Sequence, residues 1–249
     1  MADALETAGL QRLWRLWRNG LLVLVFALGA WAWAGGVLPA IFDQWDDITF
    51  LGRQHIELVA ISGGLAIAVG VPVGVALTRP ALHRYGDIVM QVLNIGATIP
   101  TLAVLALSMS ALGIGDRPAI FALFIATLLP IVSNTLAGIR AVPAYLIEAA
   151  YGMGMSTGQI LWQVELPNAM FVIYAGIRTA LAVNVGTVPL AFLIGGGGLG
   201  ELIFSGIALN EFGMMLAGAI PTALLAILVD FIMGQIQLWT IPRGVNPLR

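Results

Sequence analysis

Residues 148–167 read EAAYGMGMSTGQILWQVELP, a mixed polar and apolar stretch set between two long apolar runs, 118–139 and 171–194. Runs of about 20 apolar residues match the roughly 30 Å hydrocarbon core of a bilayer, so the stretch is a loop between membrane spans. Just upstream, Pro143 suits the first turn of a helix, where a missing N–H costs nothing, and residues 144–153 favour helix. Gly154 permits a reversal. Ser156 followed by Gln159 is a capping-box pattern that opens a second helix, which Pro167 is expected to end or kink. The reading is helix, turn, helix. Its exposed surface should mix Met153, Met155, Ile160, Leu161 and Trp162 with Glu148 and Glu165, a composition suited to docking.

The rest of the chain supports a lipid solvent. Of the 249 residues, 59% are hydrophobic and 10% charged, with a mean hydropathy of +0.96, whereas soluble domains carry about 25% charged residues. Six apolar segments are long enough to cross a bilayer, approximately 21–42, 56–77, 88–112, 118–139, 171–194 and 212–238. In hydrocarbon every backbone polar group must be paired within its segment or in a closed barrel, and these lengths select helices. The expected fold is an all-α membrane protein of six transmembrane helices with a helix-turn-helix loop between spans four and five.

Arginine placement orients it. With the N-terminus in the cytoplasm, that side receives Arg12, Arg15, Arg18, Arg79, Arg84, Arg140, Arg243 and Arg249, against Arg53 and Arg117 outside. The positive-inside rule therefore puts both termini and the 140–170 loop in the cytoplasm. The early arginines followed by Ala32-Trp33-Ala34 imitate a cleavable signal, but the apolar run continues to Phe42, longer than a signal core of about 7–15 residues. An uncleaved anchor is expected. Ahead of it, Leu10, Leu13, Trp14 and Trp17 share one helical face and Arg12, Arg15 and Arg18 another, as in a helix lying in the headgroup layer. The domain reading is an interfacial helix over 1–20, one membrane domain over 21–238 and a tail over 239–249.

Several chemistries are disfavoured. The net charge of −2 and scattered arginines give no basic patch for nucleic acid. There is no cysteine. A phosphate-binding loop requires a lysine, and the chain has none; Gly195, Gly197 and Gly200 fit G-x-G-x-x-G but without the βαβ setting of a dinucleotide site. That segment reads instead as an outer loop ahead of a short re-entrant helix near 199–208. His55 and His83 lie at opposite faces as interfacial side chains and form no metal pair.

The spacing of the opening stretch is E-A-A, three residues, G, nine residues, an aliphatic, one residue, L-P, filled by Glu148, Ala149, Ala150, Gly154, Val164, Leu166 and Pro167. It resembles the signature loop of binding-protein-dependent ABC importer permeases. The likeness covers roughly 56–238. GMGMSTGQILWQVELPNA, AGIRTA at 175–180, GGGGLG at 195–200 and ATIPTLAVLAL at 97–107 look like the osmoprotectant branch, whose permeases move glycine betaine, choline, carnitine or related quaternary amines. Phe171 departs from that pattern, where proline is common, and leaves the start of the fifth span open.

The resemblance implies a bacterial inner-membrane subunit that is not an enzyme. Its partners would be a cytoplasmic ABC ATPase dimer holding ATP and Mg, a second permease subunit (the same or homologous), a periplasmic or extracellular substrate-binding protein, and membrane lipid. Coupling to the ATPase would fall to Glu148, Ala149, Ala150, Gly154, Met155, Leu166 and Pro167. An ABC permease for another small solute, such as an amino acid or sulfonate, stays open, as does an ion-gradient secondary transporter, although inverted repeats and coupling carboxylates are not evident.

Polar groups inside spans are expensive and usually face protein or water. Asn94, Thr98, Thr101, Ser133, Asn134, Asn184 and Thr187 are therefore candidates for bordering a translocation pathway, with interhelical hydrogen bonding as the competing role. Pro100, Pro130 and Pro189 should loosen their helices locally. Arg178 and Asp230 lie at similar depth, on the order of 10 Å from the cytoplasmic ends at 1.5 Å per residue, and are candidates for an intramembrane ion pair. Gly70-x-x-x-Gly74 should admit a close helix neighbour.

Overall fold

The computed structural model describes residues 37–242, 244 and 245, together with Val23, Ala27 and Gly29. The interfacial helix expected over 1–20, most of the first expected span, Arg243 and residues 246–249 lie outside the described residues. Among the described residues all regular structure is helical. In chain order the helices are α1 (Val37–Asp43), α2 (Trp45–Ala76), α3 (His83–Thr98), α4 (Thr101–Leu112), α5 (Asp116–Arg140), α6 (Ala144–Gly152), α7 (Thr157–Ile160), α8 (Leu166–Thr187), α9 (Gly200–Leu209) and α10 (Phe212–Thr240). A π-helical turn, Leu161–Glu165, joins α7 to α8, and a 3-10 stretch, Val188–Ile194, comes after α8.

Four of these helical runs are long and apolar enough to cross a membrane, and the bent pair α3 and α4 counts as a fifth if its two halves form one span. The second expected span begins earlier than hydropathy suggests: α2 starts at Trp45 and runs for 32 residues, about 48 Å at 1.5 Å per residue. Asp46 and Asp47 sit in its first turn, where carboxylates complement the helix dipole, and Arg53 pairs with Glu57 one turn on at 3.0 Å. Charged residues that a hydropathy window rejects are thus good helix formers at this end.

The third expected span, 88–112, is not one helix. α3 and α4 meet at a 96° bend. Pro100 disfavours the α region for its predecessor, and Ile99 is extended at φ −72, ψ 124. Proline breaks this span rather than loosening it. Pro130 and Pro221, by contrast, sit within α5 and α10 without ending them.

The core is the layer where α2, α5 and α8 pack together. Small residues let them approach. A Cβ on Gly70 would meet the Ile131 side chain at 2.8 Å, and one on Gly74 would meet Thr135 at 2.5 Å, both on α5. Leu58, Leu105, Leu123 and Val185 fill one half of the layer, and Ala66, Ile131, Ile173 and Ile177 the other. α10 buries little, with Leu224, Ile227 and Phe231 exposed on its outer face.

Candidate functional site

The loop between α5 and α8 is built from two caps. α6 ends in paired bonds from Gly154 N to Tyr151 O and from Met155 N to Ala150 O, at 2.9 and 3.1 Å, the Schellman arrangement that closes orphan carbonyls around a left-handed residue. Gly154 is that residue, at φ +79, where a side chain costs strain. The next helix is opened by Ser156: its N–H donates to Gln159 Oε1 at 2.8 Å and its Oγ accepts from Gln159 N at 3.4 Å. The second helix does not stop at Pro167. α7 is a single turn that passes through the π-helical turn into α8, where Pro167 lies in the first turn and needs no N–H. Asn168 Nδ2 donates to Val164 O at 2.7 Å across this junction.

The loop surface is more apolar than its composition implies. Tyr145 (68%), Tyr151 (54%), Met153 (74%) and Trp162 (72%) are exposed, Glu148, Ala149 and Gly154 share that exposure, and Met155 is half-buried. Ala150 is buried under them at 1%. Two expected members of the surface are inside: Ile160 is 2% and Glu165 8% exposed. Glu165 Oε2 accepts from Arg79 Nη2 at 2.6 Å. Composition alone cannot assign these two to the inner face, because the π-helical turn changes the helical phase between Ile160 and α8.

Leu166 and Pro167 are half-buried and line an apolar groove of about 770 Å³. Val71 and Val75 of α2, Trp162 of the π-helical turn and Met233 of α10 form other walls.

The polar residues within the spans separate into two groups. Asn94 and Thr98 lie on the exposed face of α3 with Asp87 and Gln91, lining a depression of about 380 Å³. Thr101 opens onto a neighbouring cavity of about 370 Å³ between α3, α4 and α5. Asn184, in contrast, is 1% exposed and donates from Nδ2 to Ser62 Oγ of α2 at 2.9 Å; it sits inside the packed α2–α8 contact. Asn134 is half-buried against Gly176 and donates to Pro130 O at 2.8 Å, and the Thr187 hydroxyl lies 3.0 Å from Val183 O and Asn184 O of its own helix. Ser133 is half-buried. Burial of Asn184 depends on Gly63, whose missing side chain leaves the space that Asn184 and Leu181 occupy.

Arg178 and Asp230 are brought together. Nε donates to Oδ1 at 2.9 Å, Nη2 to Oδ2 at 2.7 Å, and Nη1 to Gln237 Oε1 at 3.3 Å. The bidentate fork is the strong form of this pair.

At the opposite end the glycine loop is pinned. Gly197 N donates to Asp116 Oδ1 and Gly198 N to Gln54 Oε1, each at 3.1 Å, and α9 begins directly after. His55 is not interfacial: it is fully buried beside Gly198, with Nε2 3.1 Å from Val185 O. Arg79, Gln54, Asp116 and Ser62 gave no sequence signal beyond their polarity, since each partner lies 81 to 144 positions away. Among the described residues no cluster of metal-ligating side chains occurs.

A helical membrane domain with an exposed, doubly capped loop ahead of its longest helical run matches known proteins. The family model described as the inner membrane component of binding-protein-dependent transport systems matches residues 70–241. The chain belongs to that family. The permease is 52% identical to the osmoprotectant import permease protein OsmY of Salmonella typhimurium, over 84% of this chain and 88% of the relative. It is 41% identical to the carnitine transport permease protein OpuCB of Listeria monocytogenes, over 79% and 89%, and 40% identical to the choline transport system permease protein OpuBB of Bacillus subtilis, over 82% and 93%. A chain of the inward-facing methionine ABC transporter MetNI superposes with a TM-score of 0.69 at 25% identity, covering 79% of the permease and 97% of that chain. The permease is therefore a multi-pass inner-membrane transport subunit of an ABC importer and not an enzyme. Members of this family work with an ATPase and a substrate-binding protein.

Proposed function

We propose that this permease imports a small quaternary-amine osmoprotectant, of the glycine betaine, choline or carnitine class, and that its 140–170 loop docks on a cytoplasmic ABC ATPase dimer. The observation that carries the docking is the cluster of exposed Tyr145, Tyr151, Met153 and Trp162 on a loop fixed by a Schellman cap and a capping box. Large apolar side chains on a rigid, protruding element are what a partner's groove fills around. Glu148 adds an acidic group to that face, and Gly154 sets its shape. The substrate class rests on the identity to osmoprotectant permeases over most of the chain.

The loop end of the bundle faces the cytoplasm, and both termini with it. Arg79, Arg84 and Arg140 lie there, and Arg53 at the far end is paired with Glu57. ATP and Mg sit on the partner ATPase. A second permease subunit, identical or homologous, completes the pathway against the exposed α3 face, where Asn94 and Thr98, with Thr101 beside them, border it. Ser133 and Thr187 belong to the same pathway, and Asn134 and Asn184 hold its walls. A binding protein delivers solute at the end carrying the pinned glycine loop. The test is purification of the permease with its native partners, then ATP-driven uptake of labelled glycine betaine, choline, carnitine and methionine in proteoliposomes. Uptake of a quaternary amine by an assembly containing a P-loop ATPase is expected. Uptake of methionine alone would overturn the substrate, and the absence of any ATPase would overturn the coupling.

A further inference from the structure

The end of α2 and the π-helical turn ahead of α8 are held together beside an open apolar groove. Across the groove of about 770 Å³, Val71 and Val75 of α2 face Leu161 and Trp162 of the turn without filling the space between them. Apolar contact between these two elements is indirect, through the shared cluster that Val71, Val75 and Leu166 pack against. Beside that groove Arg79 Nη2 donates to Glu165 Oε2 at 2.6 Å.

Both ends of this ion pair are anchored. Arg79 lies three residues past α2, and its Nε and Nη2 are 3.0 and 2.8 Å from Thr78 Oγ1, which itself donates to Val75 O at 2.7 Å. The guanidinium is thereby keyed to the last turn of α2. Glu165 closes the π-helical turn and is 8% exposed. Its side chain is 11% and that of Arg79 29% exposed, so the pair is shielded from water and its attraction is stronger than that of a surface pair.

The turn is also a point of change. π-helical turns are rare, occur as single extra residues within α-helices and concentrate at functional sites. Relaxing one to α geometry re-phases the adjoining helix by about 100° per residue. Such a change would carry Glu165 away from Arg79 unless α2 moved with it.

We infer that Arg79 and Glu165 form a tether that delivers motion of the docked loop to α2, making them positioning residues for the coupling of ATP hydrolysis to transport. The inference rests on the proposed docking of the 140–170 loop on an ATPase. Rigid shifts of whole helices are the usual form of such a transmission, and the ion pair beside the groove is a direct polar link between the end of α2 and the turn.

The experiment uses the whole importer in proteoliposomes and reads solute imported per ATP hydrolysed, with whichever of labelled glycine betaine, choline or carnitine the unmodified complex takes up. Arg79→Gln and Glu165→Gln should each lower that ratio roughly 5- to 10-fold, the low end of typical coupling free energies. The exchange Arg79→Glu with Glu165→Arg should recover most of it, which a merely structural loss would not do. Each complex is first checked for co-purifying ATPase; if a neutral variant does not assemble, Arg79→Lys and Glu165→Asp take its place and should give a smaller loss in the same direction. An unchanged ratio in the assembled variants, or an exchange no better than the single changes, overturns the tether. Glu148→Lys is the parallel arm. If it uncouples transport while the tether variants do not, the docking stands and the tether falls; if none of them uncouples, both fall.

Discussion

Arg178 of α8 and Asp230 of α10 form a two-point ion pair, 2.9 and 2.7 Å, with Gln237 accepting a third guanidinium hydrogen at 3.3 Å. It ties the sparsely packed α10 to the core layer. Gly234 lies beside it, where a Cβ would meet the guanidinium at an ordinary contact distance of 3.5 Å. Removing one partner leaves a charge stranded at membrane depth. Asp230→Asn or Arg178→Leu should each destabilise the assembled protein by about 1–2 kcal/mol, reduced from the buried-pair range because both side chains are partly exposed. That corresponds to a fall of roughly 2–8 °C in the apparent melting temperature in detergent. Replacing both by leucine should recover part of the loss, and a double variant worse than the sum of the singles would count against the pair.

Gly74→Leu should block packing of α2 on α5. Its Cβ alone would stand 2.5 Å from Thr135 Cβ and 3.1 Å from Val132 O, and overpacking of this kind costs about 1–3 kcal/mol or more. Gly64→Ala on the same helix meets nothing within 4 Å and should fall within about 0.5 kcal/mol of the parent. Monodisperse yield after size-exclusion chromatography, with melting of the surviving fraction, distinguishes the two; equal behaviour would contradict the described interface.

Gly154→Val tests the loop reversal without a steric clash, because a Cβ there meets nothing within 4 Å. Only the backbone conformation at φ +79 opposes it, at about 1–2 kcal/mol for a left-handed residue. Co-purification of the ATPase should weaken roughly tenfold, while Gly154→Asn, which tolerates that conformation better, should stay closer to the parent. Gly152→Ala, in the helix and in open space, is the control and should bind as the parent does.

Gln54→Ala and Asp116→Ala each strip an acceptor from a glycine amide in the outer loop. Loss of one such bond is worth about 1 kcal/mol, so hydrogen–deuterium exchange of the 195–200 peptide should quicken roughly five- to tenfold in either variant. Unchanged exchange would mean that backbone packing, not these side chains, holds the loop.

Much of the fold is written locally. The reversal at Gly154 and the cap formed by Ser156 and Gln159 depend on residues within three or four positions of one another, and the spacing of 148–167 states them outright. The apolar runs at 118–139, 171–194 and 212–238 became helices because hydrocarbon leaves their backbone no other partner. Pro100 shows the limit: the sequence marks a disturbance, but whether proline is absorbed, as at Pro130, or breaks the span at 96°, depends on what the next segment packs against.

Asn184 and Glu165 show the rest. Either could have faced water, a pathway or a partner on the strength of its residue type, and the loop's mixed composition put Glu165 on the expected docking surface. Only packing decided that Asn184 meets Ser62 from 122 positions away and that Glu165 turns inward to Arg79 from 86. By itself the sequence determined where the chain is helical, where it reverses and which solvent surrounds it, because those properties come from short-range hydrogen bonding and hydrophobicity. The tertiary structure decided which polar groups pair, because in a low-dielectric interior an unpaired one is costly and the available partner is set by how the helices cross.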